Sequence, residues 1–196
     1  MSDNSTNHLR TTNIHPLFWS DAEAAPFENC INCKMNLPES NTPYLIEKAV
    51  RGFDGEKVTA TIFEYAVCVN CAQEMNLKLS KGSRERIESF FKERVNFQQR
   101  FNQLRDQDDE EWLRRCLVHH EEVNEEGECQ LYALCQGDQM LYQEFPYMIR
   151  TEALDEMMDL LSAETLRQLD DFKDDLIDGP SEFKELLKKG GPKVLL

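Results

Sequence analysis

The chain has 196 residues, enough for one large domain or two small ones around a core of ordinary size. Hydrophobic residues make up 40% and charged residues 30%, a balance that excludes a membrane-embedded or wholly disordered chain. Lysine and arginine number 22 against 37 aspartates and glutamates, a formal charge of −15 that opposes broad binding to nucleic acid or anionic membrane. No run approaches the ~18 to 20 apolar residues of a membrane span. The amino-terminal residues lack the basic and then apolar run of a secretion signal, so the expected location is cytoplasmic.

Residues 1–25 read as a flexible polar tail in which His8 and His15 stand alone. Its one apolar patch, Ile14 to Trp19, is expected to fold back on the protein rather than serve as a docking motif.

Residues 26–80 carry the strongest signal. Seven cysteines occur, an odd number in a chain without an export signal, which argues against a disulfide framework. Four form two pairs, Cys30-Ile-Asn-Cys33 and Cys68-Val-Asn-Cys71. Two CxxC pairs are what a tetrahedral zinc site needs, because each short loop brings two thiolates to one ion. Between them, Tyr44 to Phe53 and Lys57 to Cys68 are rich in β-branched and aromatic residues and flank Asp54-Gly55, a strong hairpin signal. Such a hairpin returns the second pair to the first. Ala72 to Leu79 then reads as a helix with Met75 and Leu79 on one face.

This order of knuckle, hairpin and knuckle at a helix start resembles the treble-clef zinc fingers and, more loosely, the zinc ribbons. The layout also resembles small bacterial zinc-binding proteins with an amino-terminal finger. The resemblance covers roughly residues 28–80 and implies one structural zinc ion on Cys30, Cys33, Cys68 and Cys71. Four protein ligands leave no open position, so the metal would staple rather than catalyse. A competing reading takes the strand before Cys68-Val-Asn-Cys71 and the helix after it as a thioredoxin-type redox setting. That fold wants a βαβ unit in front, and a hairpin is expected there instead.

Residues 81–115 form an amphipathic helical connector. Ile87, Phe90, Phe91, Val95, Phe101 and Leu104 recur at helical spacing from Ser83 to about Gln103. Arg84, Arg86, Lys92, Arg94, Arg100 and Arg105 occupy the other positions, which invites a nucleic-acid reading. Pairing at i,i+4, such as Arg84 with Glu88, accounts for them more simply. Asp108 to Trp112 opens a second helix, with Asp108 and Glu111 spaced like a capping box.

Residues 116–196 form an acidic α+β region. Cys129 to Cys135 reads as a strand whose odd positions share a face, turning at Gly137-Asp138 and returning through Met140 to Phe145. Cys116, His119, His120, Cys129 and Cys135 could supply a second metal site, although their spacing fits no standard pattern. Three helices follow, beginning near Thr151, Ser162 and Ser181, the second ending at Gly179-Pro180. Asp170, Asp171, Asp174, Asp175 and Asp178 read as a solvated acidic face suited to a basic partner.

No dinucleotide, Walker, nucleophile-elbow or HExxH motif occurs, so nothing recommends an enzyme. The expected fold is α+β: a four-cysteine finger on a β-hairpin, an amphipathic helix, then a second hairpin and a helical carboxy-terminal region. The expected function is non-catalytic, a zinc-stabilised interaction or regulatory module that contacts a protein. The alternatives are nucleic-acid binding through the finger and its arginine helix, and thiol redox chemistry or a zinc-release switch at the CxxC pairs.

Overall fold

The computed structural model describes residues 10–122 and 126–176, with side chains through residue 171. Its elements in chain order are β1 (Arg10–Asn13), β2 (Tyr44–Phe53), β3 (Val58–Cys68), α1 (Val69–Lys78), α2 (Lys81–Arg94), α3 (Phe97–Leu104), α4 (Asp109–Leu113), β4 (Glu128–Gln136), β5 (Gln139–Tyr142), β6 (Tyr147–Arg150), α5 (Thr151–Asp159) and α6 (Ala163–Leu176). The α+β class is as expected. His8, residues 123–125, Ile177, Asp178, the helix expected from Ser181 and the terminal Val194 to Leu196 lie outside the described residues.

The strands form one antiparallel sheet in the order β1-β5-β4-β2-β3, with β6 also paired to β4. β2 and β3 form the long hairpin that Asp54-Gly55 announces. Asp54 Oδ1 accepts from the Glu56 and Lys57 amides at 2.9 and 2.7 Å, while Gly55 takes φ +107°. These amides hold the Asp54 carboxyl below its ordinary range. β2 then pairs on its other side with β4, from Tyr44 opposite Cys135 to Arg51 opposite Glu128. The strand that leaves the first cysteine pair is therefore a central strand of the sheet.

Central strands are buried on both faces, and β2 carries two charged residues there. Glu47 sits opposite Tyr65 on β3 and Tyr132 on β4, and Tyr132 sits opposite Tyr147 on β6. Tyr65 donates its hydroxyl to Glu47 Oε2 at 2.5 Å. Lys48, one residue on, faces the opposite side. Its ammonium reaches Glu64 Oε2 at 2.9 Å, Asp21 Oδ1 at 2.8 Å and the Trp19 carbonyl at 2.8 Å. Both side chains are buried; the Lys48 ammonium has three oxygen partners, and Glu47 Oε2 is bonded by Tyr65.

The apolar patch near the amino terminus folds back as expected, through a 3-10 turn at Pro16–Phe18 that buries Ile14 and Phe18. The odd positions of Cys129 to Cys135 are buried together as expected; Gln130 and Tyr132 are buried as well, because β4 is interior.

Four expectations need correction. The single helix from Ser83 to Gln103 is two helices, α2 and α3, broken at Val95 and Asn96. The Asn96 side chain caps α3 by accepting from the Gln99 amide at 2.9 Å. The return strand stops at Tyr142, and a separate strand, β6, follows Pro146. Glu88 pairs with Lys92 at 2.6 Å rather than with Arg84. At Asp108 no side-chain cap forms.

Candidate metal centre

The first pair sits on a tight knuckle between Glu28 and Leu37. Leu37 donates to the Glu28 carbonyl at 2.7 Å, Cys30 to Met35 at 2.9 Å, and Lys34 to Cys30 at 3.0 Å. Closing this turn forces Lys34 to φ +61°, the left-handed region that favours glycine or asparagine. The Ile31 amide bonds the Ala66 carbonyl at 2.8 Å, docking the knuckle against the end of β3. Cys68 ends β3 and is the N-cap of α1, which places Cys71 in the first helical turn. The Cys71 amide, free at the helix start, bonds the Cys68 sulfur and favours its negative form.

The four sulfurs of Cys30, Cys33, Cys68 and Cys71 lie within 4.8 Å of one another. Cys33 Sγ and Cys68 Sγ are 3.9 Å apart. A tetrahedral ion with metal–sulfur bonds of about 2.3 Å requires sulfurs about 3.8 Å apart, so the group needs only a small contraction to close on zinc. Cys30, Cys68 and Cys71 are buried and Cys33 is exposed.

Hydrogen bonding divides the thiols. Burial alone would raise the Cys30 thiol, but the amides of Cys68, Cys33 and Asn32 outweigh it and bring the value down to about 7. The Cys68 amide lies 3.4 Å from that sulfur. Burial pushes Cys71 up to about 12 against a favourable bond from the Asn32 side chain, and it raises Cys68 as well. Four thiols crowded without a counter-charge resist joint ionisation, which a divalent ion reverses. Lys34 and Asn32 escaped the sequence reading. The position just after the second cysteine of a knuckle was the available signal.

The five other residues considered for a second site do not gather. His119 Nε2 lies 2.9 Å from Glu156 Oε1, and burial, then the neighbouring Cys116, raises Cys129 to about 12. Among the described residues the four-cysteine group is the only one with metal-binding geometry. Asp170 and Asp171 are exposed on α6; the side chains of Asp174 and Asp175 are outside the described residues. No helix among the described residues is long and apolar enough to cross a membrane.

No family model, curated protein or solved structure matches the chain. The four-cysteine group stands on its geometry alone.

Proposed function

We propose that the chain is a non-catalytic zinc-binding protein. One zinc ion on Cys30, Cys33, Cys68 and Cys71 staples a treble-clef-like finger, and the stapled fold presents an interaction or regulatory surface to a protein partner. The approach of the four sulfurs to within 4.8 Å carries this reading. Bound zinc would supply cross-linking, tying the knuckle to the junction of β3 and α1, which the Ile31–Ala66 backbone bond also joins. With every position filled by thiolate, no place remains for a reacting water.

The engagement of Arg86, Arg94 and Arg100 favours a protein partner over nucleic acid. Arg86 Nε bonds the Leu160 carbonyl at 2.5 Å and Arg94 pairs with Glu156 at 2.6 Å. Arg100 bonds the carbonyls of Trp112, Pro146 and Glu144. Side chains held this way are poorly placed for phosphates, and the net charge of −15 adds repulsion.

The test is metal stoichiometry on protein purified without added zinc, beside Cys30→Ser and Cys129→Ser. We expect one zinc per chain, lost in Cys30→Ser and kept in Cys129→Ser. A metal-free protein with a Cys68–Cys71 disulfide would overturn the reading in favour of redox chemistry.

A further inference from the structure

α2 and α6 meet beside α1 in a corner remote in sequence from the knuckle. A pocket of about 400 Å³ opens there, lined by Leu79, Ile87, Leu161 and Leu169, with Arg84 among its polar residues. This volume lies within the ordinary range for small-molecule sites, and the four apolar side chains share the lining with Asn76, Lys81, Glu85 and Glu88 besides Arg84.

Arg84 is the informative residue. Its Nε is buried and has no hydrogen-bond partner, and no carboxylate among the described residues pairs with the guanidinium. The acidic side chains of the lining are otherwise engaged: Glu88 with Lys92 at 2.6 Å, and Glu85 with Lys81 at 3.6 Å. Arg84 is half-buried, so one guanidinium nitrogen is withdrawn from water without an acceptor, which is costly, while its planar fork matches a carboxylate. The walls that hold it are fixed. Ser80 and Ser83 of the α2 start interlock with Ser162 and Thr165 of the α6 start, and Arg86 ties α2 to Leu160.

We propose that this pocket binds a small apolar carboxylate, its chain over Leu79, Ile87, Leu161 and Leu169 and its carboxylate on Arg84. A peptide is a poorer fit, because the lining offers only Asn76 as a neutral side chain to satisfy backbone amides and carbonyls. The proposal is independent of the zinc reading.

The test uses the full chain as purified, with its metal content measured, titrated with sodium octanoate while the methyl resonances of Leu79, Ile87, Leu161 and Leu169 are followed. We expect saturable shifts at these methyls. Octanol, with the same chain and no charge, and acetate, with the charge and no chain, should each bind at least about tenfold more weakly. Arg84→Met keeps the stem and removes the fork, so it should weaken octanoate about tenfold or more and leave octanol unchanged. Arg84→Lys should recover part of the loss. Absence of saturable shifts overturns the proposal. So does equal binding of octanoate and octanol, or Arg84→Met, folded by its spectrum, binding as tightly as the parent. Octanoate binding to a protein found without zinc would sink the metal reading alone.

Discussion

Ser83 Oγ accepts a hydrogen bond from the backbone amide of Ser162, 2.9 Å away in space and 79 residues away in sequence. The relation is reciprocated: the Ser80 amide donates to Thr165 Oγ1 at 3.1 Å. Each helix start also caps itself, Ser80 accepting from the Ser83 amide and Ser162 from the Thr165 amide, both at 3.2 Å. In an ordinary capping box the third helical residue reaches back to its own cap. Here α2 and α6 exchange that service, so four hydroxyls satisfy four amides and weld two helices.

Ser83→Ala should therefore cost more than a lost surface cap. It leaves the Ser162 amide without its acceptor beside a fully buried residue, and we expect a loss of about 1–3 kcal/mol in urea unfolding. Paired with Thr165→Ala, the double mutant should lose less than the sum of the singles, because the network is already broken.

Lys34→Gly should leave the fold intact and raise stability by up to about 1 kcal/mol. A non-glycine residue at φ +61° costs about 1–2 kcal/mol, partly offset by the greater freedom of glycine in the unfolded chain. Thermal melts of the metal-loaded protein would show it. A fall in stability would mean that the Lys34 ammonium, bonded to the Ile31 carbonyl at 2.8 Å, outweighs the backbone term.

Lys48 predicts a pH dependence. Burial would raise Asp21, but the bonds from Lys48 and Thr61 and the lysine charge outweigh it and hold the carboxyl below its ordinary 3.8. A carboxyl depressed in the folded state adds stability above its unfolded pKa and loses it as pH falls through the lower folded value. Urea midpoints should therefore drop in acid more steeply in the parent than in Asp21→Asn. Lys48→Met should cost about 3 kcal/mol near neutrality, since Glu64 would lose its buried counter-charge.

Arg100 predicts a failure of conservative substitution. Its guanidinium lies 4.7 Å from the Trp112 ring centre and bonds three backbone carbonyls. Burial lowers its pKa to about 10. Arg100→Lys cannot reproduce this fork, and we expect a loss of about 1–3 kcal/mol with weakened near-ultraviolet signal from Trp112.

The sequence announced those parts of the fold whose signals are local. Both hairpin turns, each CxxC pair and the Ser162 cap depend on residues within a few positions of one another. β1 was hidden because Arg10-Thr-Thr-Asn13 has no apolar side chain and becomes a strand only by pairing with β5. The break at Asn96 was hidden because the apolar spacing continues across it, although asparagine three residues before Gln99 is a capping signal. The four-cysteine group was legible from its spacing, whereas the strained Lys34 needed the closed turn. Nothing local marks Arg84 as unpaired, since Glu88 stands at helical reach and turns instead to Lys92.

The position of β2 between β3 and β4 bears on any attempt to isolate the four-cysteine region. A fragment ending near residue 80 would keep all four thiols and still lose β4. From Leu45 to Arg51 the amides and carbonyls facing β4 would then be bare, beside a buried glutamate and lysine stripped of half their cover. Such an edge invites pairing with its own copies, and zinc would not prevent it. Metal-binding work therefore calls for a chain that keeps β4 rather than a peptide excised near residue 80.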